Sequence, residues 1–133
     1  MKPIQVLAPA TTANLGPGYD CLGLALDLWN RLEVLEGSPG PGGPLVDITG
    51  EGAGELATGP ENLVYRAVVF LFREAGREMP PLHLRCHNEI PLARGLGSSA
   101  AAIASGLVAA NRLCDGAFSS NDLLEMAATI EGH

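Results

Sequence analysis

Along the chain, apolar and polar positions switch between a period of two and a period of three to four, and the switches divide the sequence into elements. Residues 4–10 read as a strand. Leu24, Leu26, Leu28, Leu32 and Val34 alternate with Asp27, Arg31 and Glu33, the pattern of a half-buried strand sharing that sheet. Residues 37–44, Gly-Ser-Pro-Gly-Pro-Gly-Gly-Pro, can sustain neither ladder nor helix, so they predict a loop before a short strand at 45–49. Between 60 and 75, Leu63, Val64, Ala67, Val68, Leu71, Phe72 and Ala75 recur at helical spacing, with Pro60 at an early helical position and Gly76 as a stop. Residues 82–90 alternate again, Leu82, Leu84 and Cys86 on one face and His83, Arg85 and His87 on the other. A second helix is predicted at 98–114, with Ile103, Leu107, Ala110 and Cys114 on one side and its end at Asp115-Gly116. A third opens on Ser119 with Asp122 three residues on, a capping box in its Asp form, and continues through Leu123, Leu124, Ala127, Ala128 and Ile130. Strands come first and helices later, without strict alternation. That order predicts an α+β domain, a sheet packed against helices, rather than a doubly wound fold. No internal repeat is present.

Composition narrows the function classes. A chain of 133 residues is one ordinary domain with enough length for a real core. The longest apolar run is broken by Ser105 and Gly106 and falls well short of a bilayer span, so no membrane association is expected. The first residues lack the design of a signal peptide, which predicts a cytoplasmic protein. Fifteen acidic residues against eight basic ones give a net charge of −7 without a local basic cluster, which argues against nucleic acid as a partner. Cys21, Cys86 and Cys114 are odd in number and widely spaced, and read as reduced structural thiols. His83 and His87 would stand about 13 Å apart along a strand, too far for a metal pair. Trp29 and Tyr65 read as core or pocket-wall residues.

The stretch with most chemistry lies between the last strand and the second helix. Gly95 and Gly97 lack a Cβ and tolerate positive φ, so the backbone there can press against a ligand and aim successive N–H groups at it. Ser98 and Ser99 add hydroxyls in the first helical turn, where the macrodipole is positive. A polyphosphate is the natural guest, although a tight strand-to-helix connection is the plainer reading of the glycines. The spelling is neither G-x-x-x-x-G-K-[ST], since no lysine precedes the serines, nor G-x-G-x-x-G, since Ala100 follows them.

Pro91-Leu92-Ala93-Arg94-Gly95-Leu96-Gly97-Ser98-Ser99-Ala100-Ala101 resembles the P-x-x-x-G-L-G-S-S-A-A nucleotide motif of the GHMP small-molecule kinases. Residues 8–26, which include Asn14, the turn-forming Leu15-Gly16-Pro17-Gly18-Tyr19 and Asp20, resemble the first motif of the homoserine kinases among them. Glu61-Asn62-Leu63-Val64-Tyr65 is similar to their N-L-V-Y segment. The resemblance implies the GHMP-kinase N-terminal fold, which is shared with parts of ribosomal proteins. It also implies transfer of the ATP γ-phosphoryl group to the hydroxyl of L-homoserine, on the route to threonine.

The same resemblance assigns residues. The loop from Pro91 to Ala101 would wrap the ATP phosphates, and Asn62 would line the adenine pocket, where its plainer role is first-turn helix polarity. Ser99 and Glu131 would hold Mg²⁺, with Glu125 the competing carboxylate. Read alone, Glu131 is a surface group at a helix end. Asn14 and Asp20 would meet the ammonium and hydroxyl end of homoserine, with His133 nearby; read alone, an Asn and an Asp beside a turn bond the local backbone. No residue stands out as a general base. The family pattern would continue past His133 with Pro-Asp-Asn and a second domain, so residues 1–133 read as an N-terminal nucleotide- and substrate-binding domain stopping short of its end, and expected to turn over little alone. Another kinase of the superfamily with a mevalonate-like substrate, and a non-catalytic nucleotide-binding module, are the rival readings, and a homodimer is left open.

Overall fold

A computed structural model describes residues 3–12, 24–40, 43–92 and 97–132. Its elements in chain order are β1 (Ile4–Thr12), β2 (Leu24–Glu36), β3 (Val46–Gly50), α1 (Leu63–Glu74), β4 (Leu82–Asn88), α2 (Ser98–Leu113) and α3 (Ser120–Glu131). The described strands make one sheet in the order β1-β2-β4-β3. β1 pairs antiparallel with β2, and β2 antiparallel with β4. β3 lies parallel to β4, and α1 supplies the long crossover that a parallel pair requires. The α+β expectation holds, with a mixed sheet.

Period two in the strands decides which face is covered. Val6, Leu32, Val34, Leu84 and Cys86 point inward and are buried against Val64, Val68 and Leu71 of α1 and Ile103, Leu107 and Ala110 of α2. The opposite face carries Leu7, which is 59% exposed, and the histidines of β4. His83 Nε2 lies 2.8 Å from Asp47 Oδ2 and His87 Nδ1 lies 2.7 Å from Thr49 Oγ1, so each histidine has its own neighbour on β3. α1 and α2 meet where α2 has no side chain. A Cβ built on Gly106 would stand 2.6 Å from the Val64 carbonyl oxygen and 2.9 Å from Ala67 Cβ.

Four expectations need correction. α1 starts at Leu63 with Asn62 as its N-cap, leaving Pro60 in the preceding turn, because the buried Asn62 amide satisfies the first helical N–H groups that a proline start would have reduced in number. Trp29 is neither core nor wall: it occupies an outward register position, is 38% exposed, and donates its indole N–H to Asp27 Oδ1. In α3, Leu124 is 69% exposed and Ala128 is also exposed, whereas Met126 is the buried residue. The Ser119–Asp122 capping box forms in both directions and fixes the start of α3, but only one edge of that helix reaches the core. The short strand is Val46–Gly50, one residue later than its expected span, because Leu45 ends the loop and only its carbonyl reaches β4.

Candidate functional site at the start of two helices

α1 and α2 both begin at the same end of the sheet, and a cavity of about 230 Å³ lies between their N-termini. Its wall takes Asn62 and Leu63 from α1, Ser98 and Ser99 from α2, Leu92 from the connecting segment and Cys86 from β4. Of the residues singled out in the sequence, Asn62, Leu92, Ser98 and Ser99 are therefore brought together.

Each helix start is built differently. Asn62 is 6% exposed, and its Oδ1 accepts from the N–H groups of Val64 at 2.9 Å and Tyr65 at 3.3 Å. Its Nδ2 donates to the Ala57 carbonyl at 2.9 Å, tying the loop after β3 to the helix. Asn62 is thus a cap and a wall in one, with most of its polar capacity spent on main chain. α2 starts on Gly97, whose φ of 80° and ψ of 28° lie in the left-handed region that a glycine enters without strain. No described side chain caps that turn, and neither helix has an acidic residue in its first turn. A helix start of this kind, left with main-chain donors and a positive dipole end, suits an anionic group.

The remaining expected residues fall elsewhere. Pro91 is half-buried, Ala100 exposed and Ala101 buried beside Ala8, Ala10 and Ile90. Ala93, Arg94, Gly95 and Leu96, like Asn14, Asp20 and His133, lie outside the described residues. Glu131 is exposed at the end of α3, and no hydrogen bond or ion pair among the described residues joins it to Ser99. Its end of the molecule is nonetheless the relevant one. Tyr65 and Arg66 line a groove with Thr129 and Ile130, while Glu74 lines another with Asp122, so α3 runs antiparallel to α1 and returns Glu131 toward the side where α1 begins. Glu125 instead faces the α1–α3 groove.

Burial pushes the Cys86 thiol up from about 9 to about 11, which leaves it a neutral, apolar part of the wall. Several wall residues escaped the sequence reading, Ser105, Leu56 and Asn30 among them. Ser105 is buried and donates to the Ala101 carbonyl, and Leu56 closes the cavity from the β3–α1 loop. Asn30 occupies an inward register position of β2, where a polar residue amid leucines was the available signal.

The fold and the cavity together define an α+β domain whose glycine-serine helix start is suited to binding phosphate. The family model for the GHMP kinases N terminal domain matches residues 62–133, more than half of the sequence. The chain belongs to the GHMP kinase family. It is 48% identical over 128 residues to a homoserine kinase of Moorella thermoacetica, covering 96% of this chain and 42% of that protein. To a homoserine kinase of a Synechocystis species it is 43% identical over 133 residues, covering 100% of this chain and 44% of the relative. The solved structure of the homoserine kinase from Cytophaga hutchinsonii superposes with a TM-score of 0.77 at 32% identity, covering 97% of this chain and 41% of that one. The chain thus spans less than half the length of these relatives.

Proposed function

We propose that this chain forms the nucleotide-binding part of a homoserine kinase, which moves the γ-phosphoryl group of ATP to the side-chain hydroxyl of L-homoserine. The observation that carries the reading is that Ser98 and Ser99, which follow the left-handed Gly97, line the same cavity as Asn62 and Leu92. The names of relatives at 43% and 48% identity support the choice of acceptor.

In this reading the triphosphate lies along residues 95–99, its oxygens met by main-chain N–H groups, and the base enters the cavity beside Asn62. Asn14, Asp20 and His133 bind homoserine and aim its hydroxyl at the γ-phosphorus. The bond from that phosphorus to the β,γ-bridging oxygen breaks as the bond to the hydroxyl oxygen forms, and the hydroxyl proton is released. Phosphoryl transfer of this kind needs in-line positioning and charge stabilisation more than covalent chemistry, and no side chain is assigned as base. Ser99 and Glu131 are the proposed Mg²⁺ ligands. Both offer exposed hard oxygens, and no group of three His, Cys, Asp or Glu side chains among the described residues competes for the ion, a set that fits a cation retaining several waters. When bound, Mg²⁺ neutralises phosphate charge. No described helix is long and apolar enough to cross a membrane; a cytoplasmic location and a homodimer belong to the proposal.

The test is a substrate panel on the protein expressed from its complete reading frame, run beside residues 1–133 alone. The proposal expects homoserine-dependent ADP release and O-phospho-L-homoserine by ³¹P NMR from the former, and nucleotide binding with little turnover from the latter. Phosphorylation of mevalonate or galactose in preference to homoserine would overturn the assigned acceptor.

A further inference from the structure

The segment that enters the glycine-serine turn is held at its start by a side chain the motif does not contain. β4 ends at Asn88, and the next two residues, Glu89 and Ile90, leave the sheet. Asn30 Oδ1 accepts both of their N–H groups, each at 3.0 Å. Asn30 is 8% exposed and Ile90 fully buried, so these bonds are shielded from water. The neighbouring residue completes the grip. The β1–β2 register slips between Pro9 and Ala10, whose partners on β2 are Trp29 and Leu26. At that irregularity the Trp29 N–H donates to Glu89 Oε1 at 2.8 Å, and the Trp29 carbonyl accepts from the Glu89 N–H at 3.3 Å.

The grip has a far end as well. Ile90 packs with Ala101, in the first turn of α2, and with Ala8 and Ala10 of β1. Ile90 is thereby held from two sides, by Asn30 where the segment leaves β4 and by Ala101 in the first turn of α2. Leu92, two residues beyond Ile90, stands in the cavity wall. Asn30 itself borders the cavity, but its acceptor oxygen is committed to two main-chain donors.

We infer that Asn30 is a positioning residue for nucleotide binding: by holding the N–H groups of Glu89 and Ile90, and through Ile90 the first turn of α2, it sets where Ser98 and Ser99 stand in the cavity that takes ATP. This rests on the ATP-dependent reading above. Losing the acceptor leaves the deeply buried Ile90 N–H unpaired and the Glu89 N–H with only its longer bond to the Trp29 carbonyl, and relaxes the segment after β4. A displacement of that kind weakens a ligand held by several converging donors without changing the donors themselves.

The experiment measures MgATP affinity by titration calorimetry, and KM for ATP and for homoserine, on the protein from its complete reading frame. Asn30→Ala is expected to weaken MgATP binding roughly tenfold and raise the ATP KM alike, with the homoserine KM within about twofold. Asn30→Asp keeps the acceptor oxygen and is expected to recover most of the loss, together with slow exchange of the Ile90 amide. Glu89→Ala, which removes only an exposed carboxylate outside the cavity wall, is expected to weaken MgATP binding by about two- to threefold and serves if Asn30→Ala does not fold. Unchanged MgATP affinity in a folded Asn30→Ala, an equal rise in both KM values, no recovery in Asn30→Asp, or no effect of Glu89→Ala where that variant must stand in, would overturn the inference. Failure of the wild type to phosphorylate homoserine would instead sink the assigned acceptor, leaving the role of Asn30 decided by the MgATP affinities.

Discussion

Adding one methyl group at Gly106 sets two principles against each other, and the sign of the result decides between them. Helix propensity alone favours the change, since alanine in a helix interior is about 1 kcal/mol better than glycine. Packing opposes it. The new Cβ would stand 2.6 Å from the Val64 carbonyl oxygen and 2.9 Å from Ala67 Cβ, against ordinary carbon contacts of about 3.5–4.0 Å, so α1 must retreat by about 1 Å. Neither obstacle can rotate away, because one is helix backbone and the other a methyl group on a buried residue. Overpacking of this severity costs roughly 1–3 kcal/mol, and the retreat opens the α1–α2 seam beside the cavity. Gly106→Ala is therefore expected to lose about 1 kcal/mol net, read as a urea midpoint lower by roughly 0.5 M at unchanged slope. A weaker affinity for MgATP should accompany it. A variant as stable as the parent, or more stable, would refute the close approach of the two helices.

Asn62→Ala removes an N-cap and a donor to a carbonyl in the preceding loop, and is expected to cost about 2–3 kcal/mol in urea unfolding; Asn62→Asp, which keeps the cap oxygen, should lose about half as much. Cys86 supplies a pH test. Its folded value near 11 lies above the ordinary 9, so between those limits the native state keeps a proton that the unfolded chain releases, and stability falls as pH rises. The fall amounts to about 2 kcal/mol by pH 11 and should be missing from the difference curve of Cys86→Ala. Ser119→Ala, which breaks the capping box of α3, is expected to lower the thermal midpoint by an amount equivalent to about 1 kcal/mol, with MgATP affinity unaltered.

Where local chemistry decides structure, the sequence was readable. The alternation in β2 and β4 gave the covered face of the sheet, and the Ser119–Asp122 spacing gave the cap of α3 at the right residues. Gly97 was legible as a left-handed position because a strand must turn there into a helix. The misreadings arise where tertiary context chooses among equal local options. Trp29 is large and apolar, yet register puts it on the open face; Leu124 has helical spacing, yet α3 presents Met126 to the core. For Asn62 the sequence offered both a pocket-lining place and first-turn helix polarity; its amide is committed to main chain while the residue stands in the cavity wall. Asn30 is the reverse case, a polar residue at an inward position whose purpose appears only once β4 and the segment after it are seen to cross its side chain.

The central claim, that the α2 start gathers the triphosphate while the base occupies the cavity between α1, α2 and the sheet, is tested most directly by a crystal structure with a non-hydrolysable ATP analogue and Mg²⁺. The account predicts phosphate oxygens within hydrogen-bond distance of the main-chain N–H groups of residues 97–99 and the base against Asn62 and Leu92. A nucleotide seated in the α1–α3 groove, with the glycine-serine turn free of phosphate, would contradict it.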